Sequence, residues 1–234
     1  MARPPRAFLD RLDAAGLNLR ATLAVADYDA LVPAPWRSEA LAPGARTAIV
    51  LASGGRALWT AFRRAPEWGR GPDPLDAYTG RVARAAAADL EHTGHPSRAL
   101  CAHEQREGRF ADFVALGAGA GLGVPGRLGL LLHPLYGPWI SLRAVVLSAL
   151  AWRVPSEAPA GFAPCAGCPA PCQAACPGGA PGPAGFDLEA CGSTRRTTPA
   201  CGGSCAARLA CVLGPDHAYA PEALAHHMRP VRLP

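Results

Sequence analysis

The chain has 234 residues and a formal charge of +5; half of it is hydrophobic, only 18% is charged, and its 26 glycines and 25 prolines bring it close to the composition of disordered chains. It contains no lysine, so all 23 basic side chains are arginine, which excludes Schiff-base catalysis, a lysine general base and a phosphate loop ending in Gly-Lys-Ser/Thr. The arginines form nothing denser than the pairs Arg63-Arg64 and Arg195-Arg196, so no nucleic-acid-binding stripe is present and no nucleic-acid partner is expected.

The N-terminal stretch MARPPRAFLDRLDAAGLNLR reads as a short amphipathic helix carrying Asp10 and Asp13, unlike the uninterrupted apolar core of a secretory signal. Arg46 to Ala52 is a short apolar run rich in β-formers, followed by Ser-Gly-Gly and a helical stretch through Leu58, Trp59 and Phe62. Leu75, Tyr78, Val82 and Leu90 recur at helical spacing, with Asp73 placed to cap the helix before Pro74. A further strand is expected over Arg98 to Ala102, and a helix over Phe110 to Ala118. Leu128 to Leu150 is long enough to span a bilayer, but His133, two prolines, Gly137 and Arg143 mark it as two buried strands, Leu128 to Leu132 and Trp139 to Leu147, around a turn. No membrane partner and a cytoplasmic location follow. Residues 1–151 thus read as an α/β domain.

Residues 152–234 read as a second, Cys-rich module. Between Arg153 and Gly185 lie 8 prolines and 6 glycines, too few contiguous apolar residues for a core. Eight of the nine cysteines fall between positions 165 and 211. A chain of this length does not need disulfides to fold, and in a reducing compartment clustered thiols are metal ligands, so bound metal is the expected organiser. The first group is Cys165-x2-Cys168-x3-Cys172-x3-Cys176-Pro177; the second is Cys191-x9-Cys201-x3-Cys205-x5-Cys211. Two sets of four thiolates on a Gly/Pro-rich scaffold suit two [4Fe-4S] clusters, with backbone N–H groups turned toward the sulfides. Two four-cysteine zinc sites, or disulfides in an oxidising compartment, are the alternatives left open. Cys101 stands alone in a strand and reads as a small buried hydrophobe.

The first group resembles the C-x2-C-x2-C-x3-C-P run of bacterial ferredoxins, with one extra residue in the middle; the second departs further and has Val212 where proline would stand. A ferredoxin-style division assigns Cys165, Cys168, Cys172 and Cys211 to one cluster and Cys176, Cys191, Cys201 and Cys205 to the other.

Upstream, Gly121-Leu-Gly123-Val-Pro-Gly126-Arg127 and the Leu-rich run to Leu132, followed by His133-Pro-Leu-Tyr136-Gly137-Pro-Trp139, resemble the cobalamin-binding domain of epoxyqueuosine reductases, which also precedes two [4Fe-4S] clusters. The same region, with Ile49 to Phe62 and Asp73 to Asp76, is similar to CblC-type cobalamin-processing proteins. The two resemblances cover about residues 46 to 211. They imply a nitroreductase-like α/β fold with a small ferredoxin-like module, and a corrin cleft touched by Gly121, Gly123, Gly126, Arg127, His133, Tyr136, Gly137 and Trp139. On composition alone the glycines are ordinary turn residues, and His133 and Trp139 ordinary core residues. Val124, Pro125 and Arg127 replace the family's Trp, Ile and Lys, and neither Glu107 nor Asp112 falls in register with its proton-donating acid. The helical repeats with which those reductases hold tRNA do not follow the second cysteine group.

The resulting expectation is a redox protein that takes electrons from a partner protein, holds them on two [4Fe-4S] clusters and delivers them to a corrinoid. The rivals are a ferredoxin-like electron carrier without cobalamin and a zinc-stabilised binding module.

Overall fold

A computed structural model describes residues 3–229. They divide into two units, one running to Leu122 and resuming over Ser141–Glu157, the other made of Gly123–Ile140 and the residues from Ala158 onward. Residues 123–140, expected in the first domain, instead belong with the cysteines, because Arg127, Gly137 and Trp139 all meet residues downstream of Pro164.

The first unit begins with α1 (Arg6–Ala14), whose buried Phe8 and Leu12 stand four residues apart on one face. Gly16, at φ +74°, ends the helix in a left-handed turn: its N–H reaches the Asp13 carbonyl, and the Leu17 N–H reaches back to Leu12 at 2.9 Å. The chain can then reverse into β1 (Leu19–Ala24), so the helix expected over the first twenty residues is split by a strand. After α2 (Val25–Leu31) and the single turn α3 (Ser38–Leu41), β2 (Thr47–Gly54) is buried at every position, as a central strand with both faces covered must be. Next come α4 (Ala57–Phe62), α5 (Pro74–Glu91), β3 (Ser97–Cys101) and α6 (Phe113–Gly119).

β4 (Val124–Pro125) and β5 (Leu131–Leu132) belong to the second unit, and β6 (Ile140–Ser148) returns to complete the main sheet in the order β1-β2-β6-β3. β1 pairs antiparallel with β2, Leu19 opposite Ala52, and β3 antiparallel with β6, Cys101 opposite Ala144. α5 lays a small-residue face of Thr79, Ala83, Ala86 and Ala87 toward the interior and packs on β3. Asp73 occupies the cap position, but its side chain makes no capping bond; its backbone carbonyl accepts from Ala77 instead. Asp112 does cap α6, accepting from the Ala115 N–H at 2.9 Å.

Trp36 is fully buried, donates from Nε1 to the Arg109 carbonyl at 2.9 Å, and its own carbonyl accepts the Tyr28 hydroxyl at 2.7 Å. Trp36→Ala opens a void and leaves the Arg109 carbonyl without its indole donor, so a loss of about 3–5 kcal/mol is expected in chemical denaturation.

In the second unit β4 and β5 form a short hairpin, Val124 opposite Leu132. The strand expected over Leu128 to Leu132 shrinks to two residues because Gly129, at φ +67°, bends the chain away from extended backbone. The cysteine-bearing segment contains α7 (Pro171–Ala175), the hairpin β7 (Pro181–Gly182) and β8 (Gly185–Phe186), α8 (Leu188–Thr197), α9 (Ala206–Leu209) and α10 (Pro221–His227). α8 buries no residue of its own; Asp187 caps it, accepting from the Ala190 N–H at 2.9 Å, and Arg195 in its last turn donates to the Arg229 carbonyl at 2.9 Å. Among the described residues, no helix is long and apolar enough to cross a membrane.

Candidate metal-cluster site

Four of the cysteines converge although one is remote in sequence. Cys165, Cys168, Cys172 and Cys211 line a single hollow of about 380 Å3, counting its opening to solvent, together with Arg127, Leu128, Leu132 and Leu213. The Cys165 and Cys168 limb comes from the turns after Pro164, Cys172 from the first turn of α7, and Cys211 from the chain leaving α9. The residue by which Cys168-Pro-Ala-Pro-Cys172 exceeds a C-x2-C spacing is accommodated by Ala170, whose left-handed backbone (φ +55°) reverses the chain. That conformation turns the Ala170 N–H onto Cys168 Sγ at 3.4 Å, the kind of donor that anionic sulfur requires.

Burial pushes the Cys172 and Cys211 thiols up, with the neighbouring thiols of the same group adding to the shift. Cys191 behaves alike: burial dominates, and Cys205, Cys176 and Cys201 are the thiols that raise it further, while Arg195 opposes them. Cys176, Cys191, Cys201 and Cys205 therefore stand as a second neighbourhood. A cation that binds such a thiol must displace its proton.

The two neighbourhoods can be tested against the groups they would hold. A tetrahedral zinc with Zn–S bonds of about 2.3 Å draws its sulfurs to about 3.8 Å from one another. Among the described residues, no three of these eight sulfurs lie mutually within 4.8 Å; the one group of His, Cys, Asp or Glu ligand atoms that does is elsewhere. The wider spacing suits a multinuclear cluster better than a single ion. Charge points the same way. Arg208, between Cys205 and Cys211 in sequence, is buried, donates from Nη2 to the Pro138 carbonyl at 2.6 Å and stacks on Trp139 and Tyr219, yet among the described residues its Nε lacks a partner and no carboxylate pairs with it. A buried guanidinium without a counterion is costly, and thiolate at Cys205 or Cys211, three residues to either side in sequence, would supply that charge.

The residues expected to face a corrin are placed as follows. Arg127 leans into the cysteine hollow, donating to Gln173 Oε1 at 3.1 Å and to the Cys165 carbonyl at 3.4 Å. A Cβ on Gly123 would lie 2.1 Å from the Leu132 carbonyl oxygen, on Gly126 2.5 Å from the Leu132 side chain, and on Gly121 2.4 Å from Ser156 Oγ. His133 is buried; its Nδ1 accepts from the Leu135 and Tyr136 N–H groups, and its backbone bridges Gly137. Tyr136 stands against His217, and Trp139 is buried against Tyr219. These contacts show that the glycines make room for the chain's own backbone and side chains. A larger hollow in the first unit, bounded by Asp27, Arg46, Trp152 and Arg153, contains none of the predicted site residues. His226 and His227 close α10, His227 packing on Tyr219.

No protein-family model and no curated protein matches the chain. Solved structures do share its fold. An epoxyqueuosine reductase from Streptococcus thermophilus superposes with a TM-score of 0.56 at 14% identity, covering 89% of this chain and 65% of its own. A catabolic reductive dehalogenase in complex with 3-bromo-4-hydroxybenzoic acid gives 0.58 at 17% identity, covering 98% of this chain and 35% of its own. A reductive dehalogenase described with a mechanism for B12-dependent dehalogenation gives 0.54 at 17% identity, covering 97% and 36%. The chain therefore spans about two thirds of the reductase and about a third of the dehalogenases. It is a mixed α/β protein with the epoxyqueuosine reductase type of fold and a Cys-rich C-terminal region, and its likeness is to reductases.

Proposed function

We propose that the chain is an iron–sulfur redox protein in which Cys165, Cys168, Cys172 and Cys211 hold one [4Fe-4S] cluster and Cys176, Cys191, Cys201 and Cys205 a second, serving the reduction of a corrinoid or a corrinoid-dependent reduction. The observation that carries the reading is the convergence of Cys211 with the three cysteines of the first group around one hollow. The fold likeness to epoxyqueuosine reductases and to a B12-dependent dehalogenase supports the redox class and the corrinoid.

Bound clusters would supply single-electron transfer at low potential. The chain's own residues do the rest. The eight thiolates hold iron, the Ala170 N–H stabilises charge on Cys168, and the buried Arg208 offsets anionic charge near Cys205 and Cys211. Leu128, Leu132 and Leu213 keep water from one side of the first hollow. An electron-donating partner protein is part of the proposal.

A second reading, an electron carrier without cobalamin, is favoured by the way Gly123, Gly126, Gly137 and Trp139 are filled or covered by this chain's own atoms. Anaerobic purification tests the common part: a brown protein bleached by dithionite is expected, and a colourless one with stoichiometric zinc overturns it. Gel filtration with hydroxocobalamin then separates the readings. Co-elution is expected under the corrinoid reading, and its absence leaves the carrier.

A further inference from the structure

The turn after β3 carries ligand chemistry that the two cysteine neighbourhoods do not use. Cys101 ends the strand; its carbonyl accepts from the Glu104 N–H at 3.1 Å, and the Ala102 N–H donates to the Arg143 carbonyl on β6 at 2.9 Å. This tight turn, pinned to its neighbouring strand, brings Cys101 Sγ, a ring nitrogen of His103 and a carboxylate oxygen of Glu104 within 4.8 Å of one another, and among the described residues no other such trio converges. We infer that Cys101, His103 and Glu104 form a site for a single divalent cation of borderline-soft character, zinc being the type, with the fourth position left to water or a substrate atom.

The donor set selects the ion. One thiolate, one imidazole and one carboxylate, three protein ligands with an open position, is the pattern of an accessible zinc site, and hard cations such as magnesium or calcium prefer all-oxygen cages. Burial is graded to suit it: Cys101 is fully buried, Glu104 half-buried and His103 exposed, so sulfur forms the floor and the ion enters from the His103 side. Asp76, on α5, places Oδ1 3.7 Å from His103 Nδ1 and is held by Arg143 at 3.4 Å, the second carboxylate that commonly orients a metal-bound imidazole when the other ring nitrogen binds the ion.

The surrounding charges refine the choice. Arg84 acts on Cys101, Arg106 lies 3.8 Å from Glu104, and Arg143 reaches Asp76, so guanidinium charge offsets the acids and the pocket is not a general attractor of cations. Retention must then come from bonds to sulfur and nitrogen, which magnesium and calcium do not make well. Burial pushes the Cys101 thiol up to about 12, and the nearby carboxylate of Glu104 adds to the shift. On binding, the S–H bond is replaced by a sulfur–metal bond and one proton leaves to solvent; no electron is transferred.

Cobalt(II), a visible stand-in for zinc, tests the site on the full chain under anaerobic conditions. The clustered cysteines are present in every variant, so their binding subtracts out and the outcome is independent of whether they hold iron. Wild-type protein is expected to bind one equivalent more than His103→Ala, Glu104→Ala or Cys101→Ala, with an increment of sulfur-to-cobalt charge-transfer absorption, over that of the clustered thiols, that Cys101→Ala lacks and that zinc displaces. Asp76→Asn should weaken the site by about 10–100-fold, the range for loss of an outer-sphere partner. His103 and Glu104 reach the surface, so their variants fold. Equal stoichiometry and affinity in wild type and His103→Ala, or an increment over the clustered-thiol band that survives both surface substitutions, overturns the assignment.

Discussion

Replacing Cys211 by alanine is expected to remove about half of the bound iron and labile sulfide, and replacing Cys191 to remove the other half. The division follows from the geometry: Cys211 shares its hollow with Cys165, Cys168 and Cys172, whereas the thiols that act on Cys191 are those of Cys176, Cys201 and Cys205. Loss of either set should also unfold this segment, because its buried apolar side chains between Cys165 and Cys211 are only the small ones of Ala170, Cys172, Ala180, Pro181 and Ala207. Metal binding there is folding free energy. Iron and sulfide analysis, with proteolysis of residues 158–214 as a second readout, checks both effects. If Cys211→Ala retains the full iron content, the division is wrong.

Gly137→Ala is expected to be the most damaging of the glycine substitutions in the second unit. Gly137 sits at φ +54°, where an added Cβ would lie 2.3 Å from the Leu213 carbonyl oxygen. The facing residue is Gly214, at φ +57°, whose own Cβ would meet the Tyr136 carbonyl carbon at 2.6 Å. Two backbones thus cross with no side chain between them, and neither can yield as a flexible side chain would. A loss of about 2–4 kcal/mol follows, and since Leu213 lies two residues from Cys211, iron content should fall too. Two controls separate the causes. Gly179→Ala, left-handed but with open space around it, should lose only about 1 kcal/mol, and Gly202→Ala, with open space and no positive φ, close to nothing. Denaturation midpoints of the three variants in holo-protein rank them.

Much of the fold was legible wherever apolar patterning is long or unbroken. Thr47 to Gly54 and Ile140 to Ser148 are buried strands that their β-branched runs announce, and the α5 face declares itself at Leu75, Tyr78, Val82 and Leu90. β1 was hidden because its inward residues, Leu19, Ala21 and Leu23, follow an amphipathic helix after only a short turn, and three alternations read equally well as helix. The membership of residues 123–140 was not legible, because it rests on backbone approaches at Gly137 and on Arg127 reaching Cys165, neither of which has a periodicity. Nor was the Cys101–His103–Glu104 trio: a lone cysteine in an apolar strand gives no sign of ligands, and only the i-to-i+3 turn bond reveals that its next polar neighbours fold back over it.

The strand order β1-β2-β6-β3 has a consequence for how the protein is made. β6 lies inside the sheet yet is its last strand to leave the ribosome, after β3 has waited through residues 102–139 without a neighbour. Until Ser148 emerges, β2 and β3 each present an unpaired edge, and a nascent chain with two open edges is at its most prone to stick to others. Every clustered cysteine lies beyond that point in the chain. The sheet can therefore close before the first of the clustered thiols has emerged, which keeps the aggregation-prone interval and the loading of those cysteines apart in time.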